Sequence, residues 1–173
     1  MFKKFIPFAH AKSIYEIDVE FFKRNGVKVL FVDLDNTLDS YKSREPKEHT
    51  VNYINKLKSA GIEPVIISNN KPYRVCGFAD KAGISFLASA RKPCGKKIKQ
   101  EIAKRGLSPD EVMLVGDQMM TDVLAARSAK IRVVLTEKVV KEDQWTTHIN
   151  RLMDRPIRRH HRKRGNLKDW RNV

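Results

Sequence analysis

No stretch restricts the fold of this chain more than Val27 to Leu38, which reads Val-Lys-Val-Leu-Phe-Val-Asp33-Leu-Asp35-Asn-Thr37-Leu. Its apolar, β-branched and aromatic first half is the pattern of a strand buried on both faces, as inside a parallel sheet. The run then stops at two aspartates with one residue between them. Next-but-one residues on a strand point the same way, so Asp33 and Asp35 are expected to aim at one point beyond its carboxyl end. Open α/β sheets place their ligands there. Two carboxylates crowded at low dielectric repel, and the pair calls for a counter-charge such as Mg²⁺. The plainer alternative is a strand followed by an Asp/Asn turn.

The rest of the chain repeats the pattern of apolar run followed by polar stop. Residues 11–26 read as helical or mixed, with Gly26 as a stop. Asp39 to Pro46 is a polar loop over the strand end, and Val51, Ile54 and Leu57 mark a helix closed by Gly61. A second buried strand, Pro64 to Ile67, ends in Ser68-Asn69-Asn70, and Pro72 opens a helix that Gly83 ends. A short strand from Ile84 precedes Lys92 and a helix built on Ile98 and Ile102. Val112 to Val115 is a strand running into Gly116-Asp117, Thr121 to Arg127 looks like a helix start, and Ile131 to Leu135 like the last strand. Strands alternating with helices predict an α/β fold, a Rossmann-like doubly wound parallel sheet. Residues 1–150 are expected to form one domain, and 151–173 a basic, poorly ordered or accessory tail in which Trp170 is too isolated to anchor a core.

Net charge is +15, which implies attraction to anionic partners: nucleic acid, anionic lipid or phosphorylated substrates. The segment 151–173 carries nine Lys/Arg against two Asp. Its lack of interleaved aromatics argues against base stacking, so contact with RNA or DNA would run through phosphates alone. Cys76 and Cys94 lack metal-type spacing and read as reduced thiols. No apolar run is long enough to span a bilayer. The first ten residues begin with lysines but lack a continuous apolar region, so a secretion signal is not expected. They either pack on the domain or lie on a membrane surface with Phe2, Phe5, Ile6 and Phe8 inward. The expected location is cytoplasmic, with peripheral attachment at the inner face of the membrane as an extension.

Four strand ends carry distinctive polar residues: Asp33 with Asp35, Ser68 with Asn69, Lys92, and Asp117 with Asp122. Each has a routine explanation alone, such as an N-cap at Ser68 or a turn at Gly116-Asp117. In a parallel sheet, however, all carboxyl ends lie along one edge, so a nucleophile, a hydroxyl, an ammonium and further carboxylates converge.

This set resembles the haloacid dehalogenase-like (HAD) phosphatases of subfamily IIIA. Asp33-Leu-Asp35-Asn-Thr37-Leu38 is similar to their DxDx[T/V][L/V] motif, Val65-Ile-Ile-Ser68 to the second, Lys92 to the third and Gly116-Asp117 through Asp122 to GDxxxxD. The resemblance implies attack by Asp33 to give an aspartyl-phosphate, acid–base work by Asp35, phosphoryl contacts from Thr37, Ser68, Asn69 and Lys92, and charge compensation by Lys92. It implies Mg²⁺ held by Asp33, the Asp35 carbonyl and Asp117, with Asp122 either supporting the metal or orienting Lys92. About thirty residues separate Leu38 from Ser68 and some two dozen separate Ser68 from Lys92. Neither interval holds a cap domain, which implies a capless, open site suited to a large substrate. Ser13-Ile-Tyr-Glu-Ile-Asp18, Ile67-Ser-Asn-Asn70, Ala90-Arg-Lys-Pro93 and Gly116-Asp-Gln-Met-Met-Thr-Asp122 further resemble the YqeG-like group. That group implies a phospholipid monophosphate substrate, phosphatidylglycerophosphate, met at an anionic membrane. The alternatives are a nucleic-acid- or ribosome-associated HAD protein, or a phosphatase of soluble sugar phosphates or nucleotides. Oligomeric state is not readable from the residues.

Overall fold

The structure is a computed structural model that describes residues 2–139 and 148–173. Its strands are β1 (Ala9–Ala11), β2 (Val29–Val32), β3 (Glu63–Ile67), β4 (Ser85–Leu87), β5 (Val112–Gly116) and β6 (Arg132–Thr136). The helices are α1 (Val19–Arg24), α2 (Glu48–Ser59), α3 (Pro72–Ala82), α4 (Lys96–Lys104), α5 (Leu124–Ala129) and α6 (His148–Lys163). All six strands are parallel, in the order β1-β6-β5-β2-β3-β4. The expected doubly wound sheet is therefore the observed one.

Alternation along the buried strands sorts side chains into two cores. Leu30, Val32, Ile66, Met113 and Val115 face α1, α2 and α3 through Phe22, Ile54, Leu57 and Phe78. Val29, Phe31, Val65, Ile67, Val112 and Leu114 face α4, α5 and α6 through Ile98, Ala125, Ala129 and Ile157. Covering both faces is what lets a continuous apolar run such as Val29–Val32 exist, and each such side chain contributes about 1.5–3 kcal/mol by leaving water. Gly83 closes α3 in the left-handed region (φ +64°), where a side chain would be strained.

Register fixes what the carboxyl edge presents. Val32 pairs with Ile66 and Val115, so the residues that follow on three adjacent strands, Asp33, Ser68 and Asp117, emerge almost level. The Asp33 amide extends the ladder by donating to the Val115 carbonyl (2.9 Å).

Three regions sharpen or correct the expectation. The N-terminal residues pack on the domain: Phe5 is buried, and Phe2 stacks edge-on against His160 at 5.3 Å. Within the stretch read as helical or mixed, α1 occupies only its end, and a short edge strand, β1, lies at its start. The segment beyond 151 is not a poorly ordered tail. α6 packs on the second core through Ile157, and Trp170 meets Phe21 edge-on at 5.8 Å. The Lys168 carbonyl accepts from the His10 amide (2.7 Å), covering the β1 edge. Hydrophobic periodicity hides α6 because its inward face is mostly polar: Asp154, Arg158 and His161 flank one isoleucine.

Candidate active site

The floor of the site is a buried ammonium. Lys92 Nζ donates to Asp33 Oδ1 at 2.6 Å and to Asp122 Oδ1 at 2.7 Å. Asn69 fixes the lysine's backbone from both sides, accepting from its amide (2.7 Å) and donating to its carbonyl (2.9 Å). Asn69, expected at the substrate, has its side chain committed to placing Lys92. The second oxygen of Asp122 accepts from the Gln118 amide (3.0 Å), so this carboxylate braces both Lys92 and the turn it sits on.

Burial pushes the Asp33 carboxyl well above the ordinary range; Lys92 pulls it down while Asp122, Asp117 and Asp35 push it further up. Burial would depress the Lys92 ammonium, but Asp122 and Asp33 outweigh it and hold lysine above its usual range.

The rim is different. β2 has ended, and Asn36 turns the chain through the left-handed region (φ 67°). Asp35 Oδ2 accepts from Asn70 Nδ2, and Oδ1 from Arg74 Nη2 (3.2 Å), which also donates to the Tyr41 carbonyl (2.9 Å). Burial raises the Asp35 carboxyl, against the pull of Arg74, Lys92 and Asn70. Ser68 Oγ accepts from the Asn70 amide (3.1 Å), which orients its hydroxyl at the strand end. Thr37 Oγ1 donates to Asp117 Oδ1 (3.4 Å).

The loop after the first motif is held by a buried carboxylate. Asp39 accepts from the Ser40 amide (2.8 Å), the Ser43 hydroxyl (2.8 Å) and the Lys47 amide (3.2 Å). Asn70, Arg74 and Asp39 escape sequence reasoning. Asn70 was signalled only by its place beside Ser68-Asn69, and the other two by nothing local.

The carboxylates at the end of β5 need a glycine. A Cβ on Gly116 would lie 2.3 Å from Asp122 Cγ, so only glycine lets that side chain fold back under the strand. The result brings oxygens of Asp33, Asp117 and Asp122, all buried, within 4.8 Å of one another. When ionised, these three negative charges face one ammonium, and hard oxygen donors with surplus negative charge suit a divalent cation. The Asp35 carboxylate lies outside this group, engaged by Asn70 and Arg74.

No domain interrupts this edge. Between Leu38 and Ser68 lie one loop, α2 and β3, and between Ser68 and Lys92 lie α3 and β4. A capless α/β fold with an aspartate pair, a lysine and further carboxylates at one sheet edge defines a class of phosphate-ester chemistry. The sequence of residues 2–130 matches the model of the haloacid dehalogenase-like hydrolases, and the chain belongs to that family. It is a phosphatase, and phosphatases of this family generally use a divalent metal.

The chain is 32% identical over 168 residues to the "Probable phosphatase YqeG" of Bacillus subtilis (strain 168), covering 96% of this chain and 98% of that one. Among solved structures it is similar to a hypothetical protein from Xanthomonas campestris (TM-score 0.54, 18% identity, 70% of this chain and 71% of that one). It is also similar to the cobalt-bound deoxy-D-mannose-octulosonate 8-phosphate phosphatase of Haemophilus influenzae (TM-score 0.51, 13% identity, 67% and 81%). At such identities the two structures support the fold alone.

Proposed function

We propose that this phosphatase hydrolyses a phosphomonoester through an aspartyl-phosphate on Asp33, and that its substrate is a phospholipid monophosphate of the phosphatidylglycerophosphate type. The observation that carries the reaction is the pairing of a buried, lysine-bound carboxylate, Asp33, with a second carboxyl at the rim, Asp35. An oxygen of Asp33 attacks phosphorus in line as the bond to the leaving alkoxide breaks, and protonated Asp35 gives that alkoxide its proton. Water then attacks the aspartyl-phosphate and yields its proton to Asp35; the bond to Asp33 breaks, and phosphate and free enzyme return. Ser68 donates its hydroxyl hydrogen to a phosphoryl oxygen. Lys92 holds the nucleophile and offsets charge that gathers during transfer. Asp33, Asp117 and the Asp35 carbonyl would hold Mg²⁺, with Thr37 steadying Asp117 and Asp122 steadying Lys92. Bound there, Mg²⁺ would supply the positive charge that transfer of a phosphoryl dianion needs.

Three features support a lipid substrate. The capless edge admits a headgroup still anchored in a bilayer. The motifs carry the YqeG-like resemblance that implies such a substrate, and the similarity to a relative named only as a probable phosphatase runs over nearly the whole chain. On α6, Arg155, Arg159, Arg162 and Lys163 are exposed beside Leu152 and Met153. Basic residues near an anionic membrane contribute about 1 kcal/mol each. Among the described residues no helix is long and apolar enough to cross a membrane, so the proposed attachment is peripheral, at the cytoplasmic face.

The test is phosphate release with Mg²⁺ from phosphatidylglycerophosphate in mixed micelles, phosphatidic acid, sugar phosphates, nucleotides and a phosphopeptide. Lipid-selective release, lost in both Asp33→Asn and Asp35→Asn, is expected. Equal or faster turnover of soluble esters would overturn the lipid assignment and leave the reaction standing.

A further inference from the structure

α6 lies beyond the residues that match the family, yet it reaches the catalytic edge. We infer that Asp154 and Arg158, one turn apart on this helix, are positioning residues that hold the segment carrying Asp117 and Asp122. The inference rests on the reading of those carboxylates given above.

After β5 the backbone enters a wide π-helical turn, Met119–Val123, whose first amides have no partner within the turn. Such amides are ordinarily capped by the side chain just before the helix. Here Gln118 occupies that place and makes no capping bond. The cap comes instead from 34 and 35 residues downstream: Asp154 Oδ2 accepts from Met119 N and Oδ1 from Met120 N, both at 2.9 Å. Asp154 is buried, so these are charge-assisted bonds shielded from water.

On the next turn of α6, Arg158 Nη2 donates to the Asp117 carbonyl and to the Thr136 carbonyl (3.0 Å). Arg158 is in turn paired with Glu137 at 3.3 Å, and Glu137 accepts from His10 (3.0 Å) and Arg162 (2.9 Å). The backbone of Asp117 is thus gripped on its own carbonyl and on the two amides beyond Gln118. Asp122, inside the same turn, receives its position from that grip and passes it to Lys92. Only Ile157 gives α6 a deeply buried apolar anchor among its described side chains, so its inward polar residues are spent on the site.

The experiment uses the full chain and compares Asp154→Asn, Asp154→Ala, Arg158→Met and Arg158→Lys with Ile157→Ala, which weakens the same helix by removing apolar packing and leaves every hydrogen bond to the turn in place. Mg²⁺ and Mn²⁺ binding is measured by calorimetry, and amide exchange is followed at Met119, Met120 and the β2 strand. We expect both Asp154 variants and Arg158→Met to weaken cation binding by about 10–100-fold, the loss usual when partners that orient metal ligands are removed. Arg158→Lys should recover part of that loss. Exchange at Met119 and Met120 should quicken at least about tenfold in both Asp154 variants, with β2 unchanged. Ile157→Ala should lower the melting temperature and leave cation affinity at the wild-type value. Wild-type exchange at both methionine amides in Asp154→Asn and Asp154→Ala would overturn the inference. So would equal losses of affinity in Ile157→Ala and Asp154→Ala, because α6 would then matter only for general stability. A wild-type protein that binds no divalent cation would instead defeat the metal reading, and the exchange comparison would still decide the role of Asp154.

Discussion

Asp33 and Asp35 leave the same strand end two residues apart and enter different worlds. The Asp33 side chain is 10% exposed and bound to a lysine that is 3% exposed. Asp35 is 19% exposed and bound to an arginine at 21%. The first pair is braced from below by Asp122 and Asn69; the second hangs from Asn70 and from Arg74 in the first turn of α3. Two carboxyls can divide nucleophilic and acid–base work only where their surroundings differ in this way. The contrast fits the proposed division, in which Asp33, tied to its ammonium, is the nucleophile and Asp35 at the rim gains and loses a proton.

The most severe way to break the contrast is to remove the two functions one at a time. Asp33→Asn should lower kcat by roughly 10⁴-fold or more, the scale of losing a nucleophile. Asp35→Asn should lower it by roughly 10²–10⁴-fold, the range of general acid–base catalysis. An aryl phosphate separates them further, because its leaving group departs without a proton. With that substrate Asp35→Asn should still accumulate a phosphorylated protein, detectable by intact mass, and Asp33→Asn should not. Phosphorylated Asp33→Asn protein would assign the nucleophile elsewhere.

Lys92→Met attacks the floor through stability. It leaves Asp33 and Asp122 buried without their cation, and breaking such a pair typically costs about 3–5 kcal/mol. Denaturant unfolding at pH 7 should show that loss. The gap to wild type should narrow as pH falls, because Asp33, whose carboxyl burial holds above its ordinary range, regains neutrality by protonation once its ammonium is gone. In the wild type the Lys92 ammonium is held above its ordinary 10.5, so its contribution is intact below that pH and fades as the pH rises through the folded value. A gap that widens toward acid would contradict the assignment of charge on the floor.

Much of the floor was legible, and the reason is local. Asp33, Lys92 and Asp117 each follow a strand in sequence, as Ser68 does at the rim, and a parallel sheet turns that shared feature into one edge. Gly116 and Asp122 share a motif whose spacing records a close contact within one turn. The rim was less legible: strand alternation led Asp33 and Asp35 to be expected at one point, but β2 stops at Val32, and Asp35 is seated apart by Asn70, just before α3, and Arg74 in its first turn. β1 was missed because three residues show no period, and α6 because its inward face is made of Asp154, Arg158 and His161. Periodicity registers apolar burial; it does not register burial of polar groups that have found partners elsewhere.

Asn69→Ala would sharpen the comparison at lower cost. It removes two hydrogen bonds to the Lys92 backbone without removing any charge. Neutral bonds of this kind are worth about 0.5–1.5 kcal/mol each, so the protein should stay folded at 25 °C. Turnover should fall by about tenfold through misplacement of Nζ, with KM for the phosphate ester changing less than kcat. A rise in KM alone would return Asn69 to the substrate-binding role that its neighbour Ser68 suggests.

The gentlest probe is Arg74→Met at the rim. A partly exposed ion pair is worth under about 1 kcal/mol, so maximal kcat/KM should change by less than about tenfold. The pH profile is the informative readout. The first half-reaction needs Asp35 protonated, so kcat/KM should fall on the alkaline side as free-enzyme Asp35 ionises. Burial already raises that carboxyl, and Arg74 is the foremost influence pulling it back down. Removing the guanidinium takes away stabilisation of the ionised form, so the alkaline limb should move to higher pH. The same substitution should leave the Asp33–Lys92 pair, and therefore stability at pH 7, close to wild type. A limb that stays in place, or moves toward acid, would mean that Arg74 does not set the charge of Asp35 and that floor and rim do not titrate as separate environments.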